Sequence, residues 1–389
     1  MTVRLSDLTW LLDGWYDPAW AEAWDAVGLV CGDPEQPVRK VLLAVDPAPR
    51  VVEEAIEWGA DLVVCHHPLL LTPVHGVAAT TPKGRVVHDL LRAGVALFTA
   101  HTNADVPGDG VNESLARAVG IVDPQVVLSG DGPDHGALDK LVVFVPHEHA
   151  EAVRTAVTDA GAGVIGNYDR ATFTTAGEGR FRPLDGSRPA IGAVGETEMV
   201  PESRIETVLP RPLRQQVVEA MLAAHPYEEV AYDVVELAPV AGGRAAEVPA
   251  TRGHGRIGRL AQPTTLRGFA EQVGAALPAT AHGVRVAGDP DRRVETVVVG
   301  SGSGDFMLDA VLGTDADVYL TSDLRHHRAG EFLEHGGPAL VDVAHWAAEW
   351  TWLPVLERKL ADGLRGRGDT VETRVSTRVT DPWTFRADR

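Results

Sequence analysis

Residues 55–68 read Ala55-Ile56-Glu57-Trp58-Gly59-Ala60-Asp61-Leu62-Val63-Val64-Cys65-His66-His67-Pro68. The stretch runs from the end of a helix predicted over 50–58, through a turn, into a four-residue apolar strand at 62–65 that stops on two histidines. The same alternation extends in both directions over 1–130. An amphipathic helix opens the chain, a strand follows at 41–46, and beyond the histidines come a helix at 84–93, a strand at 96–100 and a helix at 110–119. This is an α/β pattern.

Residues 250–389 repeat it, with strands expected near 296–299, 317–320 and 339–343. The segment 310–320 has the helix-turn-strand cadence of 55–64 with one residue's difference in spacing, so two similar three-layer α/β halves are expected. Between them the pattern changes. A strand at 139–145, a helix at 148–160, a long hairpin-like stretch at 168–183, a strand at 204–209, a helix at 213–224 and a strand at 231–235 read as a ferredoxin-like α+β module. Turn-rich junctions at 130–133 and 239–243 flank it. The expected domains are therefore 1–135 and 241–389 as the two halves of a core, interrupted by an inserted domain at 136–240.

Chemistry-bearing residues gather just after the predicted strands. His66 and His67 follow one, His101 and Asp105 another, Asp323 and His326 a third, and His345 a fourth, with Glu349 four residues on. Ligands of open α/β sheets bind outside the carboxyl ends of the strands, so residues scattered in sequence can converge there. Adjacent histidines at a strand's end splay to opposite sides and can hold different ions, whereas an i,i+4 His/Glu pair shares one helical face. His66, His67, Asp105, His345 and Glu349 are the expected metal ligands. A lone histidine beside an apolar strand is more often a hydrogen-bonded core residue, and it is the repetition at strand ends that favours a metal centre. Gly300-Ser301-Gly302-Ser303-Gly304 has two readings, an anion cradle of backbone N–H groups or close helix–strand packing. Pro226, in His225-Pro226-Tyr227-Glu228-Glu229, falls where a helix stop is expected, which favours a structural role.

The bulk composition narrows the partners. A net charge of −20, from 35 basic and 55 acidic side chains, argues against binding duplex nucleic acid, which needs a basic stripe. Two cysteines, Cys31 and Cys65, exclude a disulfide framework and a Cys-rich zinc module. No apolar run approaches membrane-spanning length and no basic-then-apolar leader opens the chain, so no membrane association and a cytoplasmic location are expected.

Trp24-Asp25-Ala26-Val27-Gly28-Leu29, Cys65-His66-His67-Pro68-Leu69, Ala100-His101-Thr102-Asn103-Ala104-Asp105, Thr321-Ser322-Asp323 through His327, and Asp342-Val343-Ala344-His345 with Glu349 together carry a resemblance. Through them the chain resembles the Nif-three-like dinuclear metal-centre family, whose bacterial members are often labelled GTP cyclohydrolase 1 type 2 homologues. Residues 161–168 and 225–229 resemble its longer subfamily, and the insert resembles nitrogen-regulator and copper-tolerance modules. The resemblance implies the same five ligands, two divalent ions and a homohexamer. Ser322, Ala344 and Ala26 stand where the family commonly has Gly, Gly and Asn.

Imidazole and carboxylate ligands without thiolate favour zinc, iron, manganese or nickel over copper(I) or an iron–sulfur cluster, and two divalent ions of zinc, iron or manganese are expected. Two divalent ions outweigh the charges of Asp105 and Glu349, so a small anionic substrate is expected, and open positions favour hydrolysis. His101, His326 and Asp323 are the candidates to orient ligands or move protons. The resemblance implies GTP cyclohydrolase-like chemistry. A two-metal phosphoesterase and a non-catalytic metal-dependent scaffold or regulatory protein are the alternatives.

Overall fold

A computed structural model describes residues 3–129, 138–165, 168–238 and 252–387. The junctions expected at 130–133 and 239–243, and Gly166 with Asn167, lie outside the described residues. The chain divides into two compact units, one of Met1–Gly130 with Thr251–Arg389 and one of Asp131–Ala250. In chain order the strands are β1 (Gly28–Cys31), β2 (Lys40–Ala44), β3 (Leu62–Cys65), β4 (Ala96–Thr99), β5 (Ile121–Ser129), β6 (Leu138–Pro146), β7 (Thr172–Phe181), β8 (Glu198–Pro210), β9 (Tyr232–Glu236), β10 (Gly253–Thr265), β11 (Val284–Ala287), β12 (Arg293–Ser303), β13 (Val318–Ser322), β14 (Ala339–Val343) and β15 (Glu372–Val375).

The first unit holds two sheets, ordered β1-β4-β3-β2-β15 and β11-β14-β13-β12-β10-β5. In the first sheet β4, β3, β2 and β15 run parallel and β1 pairs antiparallel at one edge. In the second, β12, β13 and β14 run parallel, and β5, β10 and β11 pair antiparallel with their neighbours. Each sheet takes an edge strand from the other stretch of chain, β15 lying beside β2 and β5 beside β10.

The short apolar strands are buried on both faces, which is why they read as continuous runs. With a side-chain period of two, Val41, Leu43, Val64 and Phe98 enter the same core as Val297, Val299, Leu320 and Val341 of the second sheet. Helices Leu5–Trp15 and Leu353–Arg365 fill that core with Leu8, Leu12, Leu356 and Leu360. The alternate residues Leu42, Val63 and Leu97 face outward under helices Pro49–Trp58 and Pro82–Ala93, as Val298, Tyr319 and Leu340 do against Phe332 of helix His326–Glu334.

Helix ends set where each strand begins. Pro49–Trp58 starts on a proline and stops at Gly59 in the left-handed conformation; Pro82–Ala93 is capped by the Thr81 hydroxyl, which accepts from Gly84 N–H, and stops at Gly94. A strand entered at residue 62 then delivers residue 66 to its carboxyl end. Pro354 lies in the first turn of Leu353–Arg365, after helix His345–Trp350 has closed, so it restarts the helix rather than kinking it.

The second unit is one antiparallel sheet, ordered β7-β8-β6-β9. Helices Ala150–Asp159 and Arg214–Ala224 cover one face, packing Val153, Val157, Val217 and Met221 on Leu141, Val143, Ile205 and Leu209. The stretch expected as a hairpin at 168–183 instead supplies the single edge strand β7. Its partner β8 lies beyond a long connection, with Phe181 opposite Glu198 and Thr172 opposite Thr207.

Candidate metal centre

The parallel strands of the two sheets in the first unit bring four histidines to their carboxyl ends. Each ring is anchored through Nδ1: His66 to the Ala100 carbonyl at 2.9 Å, His67 to Asp46 at 2.7 Å, His101 to Asp25 at 2.7 Å and His345 to Asp323 at 2.6 Å. An acceptor on Nδ1 keeps the proton there and leaves the Nε2 lone pair free, the tautomer that a metal ligand requires. His66 and His67 are anchored beyond the ends of different strands, β4 and β2, as splayed neighbours should be. Yet their rings come back to 5.1 Å between centroids, and nitrogens of His66, His67 and His101 lie within 4.8 Å of one another.

Glu349 is the hub. Its Oε1 lies 2.8 Å from His345 Nε2 and 3.4 Å from His66 Nε2, and its Oε2 lies 3.0 Å from His67 Nε2. His67, His345 and Glu349 form a second group with ligand spacing. Asp105 Oδ1 stands 3.7 Å from His66 Nε2 and within 3.5 Å of the Ser301 hydroxyl. The sequence expectation of five ligands thus corresponds to residues gathered in one place, and His101 joins them at ligand distance rather than standing apart.

Asp323 and His326 fare differently. Asp323, in the left-handed region at φ +57, turns its carboxylate onto His345 and so orients that ring. His326 is exposed on the first turn of its helix, edge-on to His327 at 5.1 Å, and joins none of the cluster's contacts among the described residues. A position after a strand fails to bring it in because residue 323 sits at the strand end while residue 326 is already a turn away on the surface.

Two orienting carboxylates escape the sequence reading. Asp46 follows β2 as His67 follows β3, so the same strand-end reasoning reaches it; Thr380 donates to its other oxygen. Asp25 accepts from His101, from the Thr102 N–H at 3.1 Å and from the Ala26 N–H at 2.7 Å. These bonds overcome burial and hold its carboxyl well below the usual range.

Gly300–Gly304 resolves toward packing. β12 runs through Ser303, and the Ser301 N–H is taken by Asn112 at 2.9 Å. Gly302, at φ +69, lies against the cluster: a Cβ there would stand 3.0 Å from Glu349 Oε1 and 3.5 Å from His345 Nε2. Only glycine meets both demands.

The electrostatics are those of a cation site. Against burial, Glu349 and Asp46 push His67 up to about 10, and Glu349 and Asp323 push His345 up to about 11. Glu349 is held well below the usual carboxyl range, despite complete burial, by His345, His67 and His66. Burial, then the Glu349 charge, raises Asp105 to about 7. His66 Nε2 and Glu349 Oε2 are buried polar atoms without a hydrogen-bond partner, His67 Nε2 approaching the latter to 3.0 Å. Orphaned buried donors and acceptors of this kind are costly, and imidazole nitrogen beside carboxylate oxygen is a donor set that a divalent transition metal satisfies.

A pH dependence follows. In metal-free protein the imidazolium forms of His67 and His345 stabilise the fold fully below pH 6.5, and that stabilisation is lost as pH rises through about 10 and 11. Metal must displace the same protons. Metal uptake should therefore tighten as pH rises from 6 to 9 and release protons, which calorimetry in buffers of different ionisation heat measures; affinity flat across that range contradicts the assignment.

The fold and the centre define a class: an α/β protein that assembles a buried His/carboxylate cluster, able to hold metal, at the carboxyl ends of its parallel strands. The family model for Duf34/NIF3 (NGG1p interacting factor 3) matches residues 3–382. The chain belongs to this family. It is 48% identical over 384 residues to the GTP cyclohydrolase 1 type 2 homolog of Mycobacterium tuberculosis, covering 98% of this chain and 97% of the relative. To the Bacillus subtilis protein of the same name it is 38% identical over 368 residues, 94% of each chain. Among solved structures, a Bacillus cereus protein related to NIF3 superposes with a TM-score of 0.76 at 36% identity, covering 99% of this chain and 100% of that one.

Proposed function

We propose that the chain is a metal-dependent hydrolase of a small anionic, nucleotide-like substrate, with two divalent ions of zinc, iron or manganese held by His66, His67, Asp105, His345 and Glu349. The observation that carries this reading is Glu349, whose two oxygens meet three imidazoles while its Oε2 and the Nε2 of His66 are left without hydrogen bonds. The His67 and His345 side chains keep 23% and 30% of their surface exposed, so the centre is reachable. Ions in such a site supply Lewis acidity and a more acidic water. The protein's own part is to hold the imidazoles in one tautomer through Asp46, Asp25 and Asp323. His101 is the group placed to take or give a proton through Nε2, its other nitrogen being fixed on Asp25.

The nucleotide class rests on the name GTP cyclohydrolase 1 type 2 homolog carried by the relatives, together with a centre whose ions outweigh its carboxylates. The homohexamer and the cytoplasmic location rest on family membership and on the sequence. The ferredoxin-like reading of the insert is supported by its antiparallel order β7-β8-β6-β9 with two helices on one face.

Metal-loaded protein should release formate or phosphate from a member of a nucleotide panel, and Asp105→Asn should abolish the release while leaving the far-UV spectrum unchanged. No turnover across the panel with zinc, iron or manganese rejects the hydrolase in favour of a metal-dependent scaffold.

A further inference from the structure

The second unit carries a cavity of about 1020 Å³ built entirely from its own residues. Its floor is the sheet face opposite the helices. Leu141, Val143 and Val145 of β6 point into the helix-covered core, so Phe144 between them points the other way, into the cavity. Phe181 of β7 and Tyr227 add two more rings, edge-on at 5.6 Å.

The His225–Glu229 motif, expected to be a helix stop, builds the wall. His225 Nε2 donates to the Phe144 carbonyl at 2.9 Å, and its Nδ1 accepts from the Tyr227 N–H at 3.1 Å, which fixes Tyr227 relative to Phe144. Glu228 accepts from the Arg188 N–H at 2.7 Å, tying down the segment that follows β7. A bare stop signal needs none of these bonds.

Glu202 lies among the rings, 8% exposed, with the Tyr227 hydroxyl donating to it at 3.1 Å. Burial and then Glu202 push that hydroxyl above its usual range. Gly179 makes the seat: a Cβ there would overlap the Glu202 carboxylate. Arg180 and Arg204 of the wall and Arg188 beside it are paired, Arg180 with Glu178 at 2.8 Å, Arg204 with Glu206 at 3.0 Å and Arg188 with Glu228 at 3.9 Å. Glu202 and Glu229 have no cationic partner among the described residues, and Arg182 is exposed. A buried carboxylate without a counter-ion is costly, and aromatic faces around it attract positive charge. An anion would meet the uncompensated carboxylate instead.

We propose that this cavity binds a small organic cation, an ammonium group on an aromatic or apolar body, with the ammonium on Glu202 and the body among Phe144, Phe181 and Tyr227. The volume, at the upper end of that of drug-sized sites, admits such a ligand with room to spare. Nothing in the metal centre is required for it.

Three probes of one shape and different charge test this on the full chain: phenethylamine, 2-phenylethanol and phenylacetate, titrated by calorimetry. Phenethylamine should bind saturably in the millimolar range or tighter, the alcohol at least about tenfold more weakly, and phenylacetate not at all. Glu202→Gln should weaken phenethylamine by about tenfold or more, whereas Tyr227→Phe should weaken it less and keep the preference for the cation. Phenylacetate binding as well as the amine, no saturable binding of the amine, or unchanged affinity in a folded Glu202→Gln protein overturns the proposal. The comparison of probes on the unaltered protein decides even if a variant fails to fold.

Discussion

Glu349→Gln is expected to leave the protein folded and nearly stripped of metal. Glutamine keeps the shape but replaces one anionic oxygen with an N–H₂ donor, which then faces an imidazole lone pair across 2.8–3.4 Å. Affinity should fall by more than the roughly 10- to 100-fold that loss of an outer hydrogen-bond partner costs. Asp46→Asn and Asp323→Asn, which alter only the anchors of His67 and His345, should stay within that range. Elemental analysis of protein purified without a chelating tag measures the outcome, with two ions expected in the parent chain. Full occupancy in the Glu349 variant would remove it from the centre.

Arg256→Met should be among the most destabilising substitutions outside the centre. Arg256 is 1% exposed and uses all five of its N–H donors: Nε to Glu113 at 2.9 Å, one terminal nitrogen to the carbonyls of Gly253 and Gly255, and the other to those of Val106 and Pro107. Methionine fills similar space but strands those carbonyls and leaves Glu113, 6% exposed, with Arg117 as its one remaining cation among the described residues. Breaking a buried pair in this way costs about 3–5 kcal/mol. Because Val106 and Pro107 directly follow Asp105, metal affinity should fall as well. Adding Glu113→Gln should recover part of the stability, since it removes the stranded charge. Urea unfolding followed by circular dichroism checks both, and a loss below about 1 kcal/mol would show that Arg256 does not hold the Asp105 loop.

The short strands at 62–65, 96–99 and 318–322 and the helices before them were legible because local signals agree there. Before 62–65 and 96–99 a proline or capped start, a left-handed glycine and a continuous apolar run each point to the same element, and at 318–322 the apolar run alone does so. β15, read as Glu372-Thr373-Arg374-Val375, has no such run and is a strand only because β2 offers it a free parallel edge. β5 and β10 were missed for a related reason. Their pairing with each other is interrupted by a shift between Ile257 and Arg259, and their burial does not alternate cleanly.

By itself the sequence determined which residues could carry the chemistry. His66, His67, His101, Asp105 and His345 stand at strand ends, and Glu349 stands one helical turn beyond His345, whatever the rest of the chain does. Only the tertiary structure decided which of them meet. Convergence depends on how the two sheets face each other across the shared core, on the Nδ1 anchors that aim each Nε2, and on Gly302 leaving room for Glu349. Those are contacts between segments far apart in sequence, and no local spacing encodes them; His326, four residues beyond the end of β13 and already on the next helix, remains on the surface.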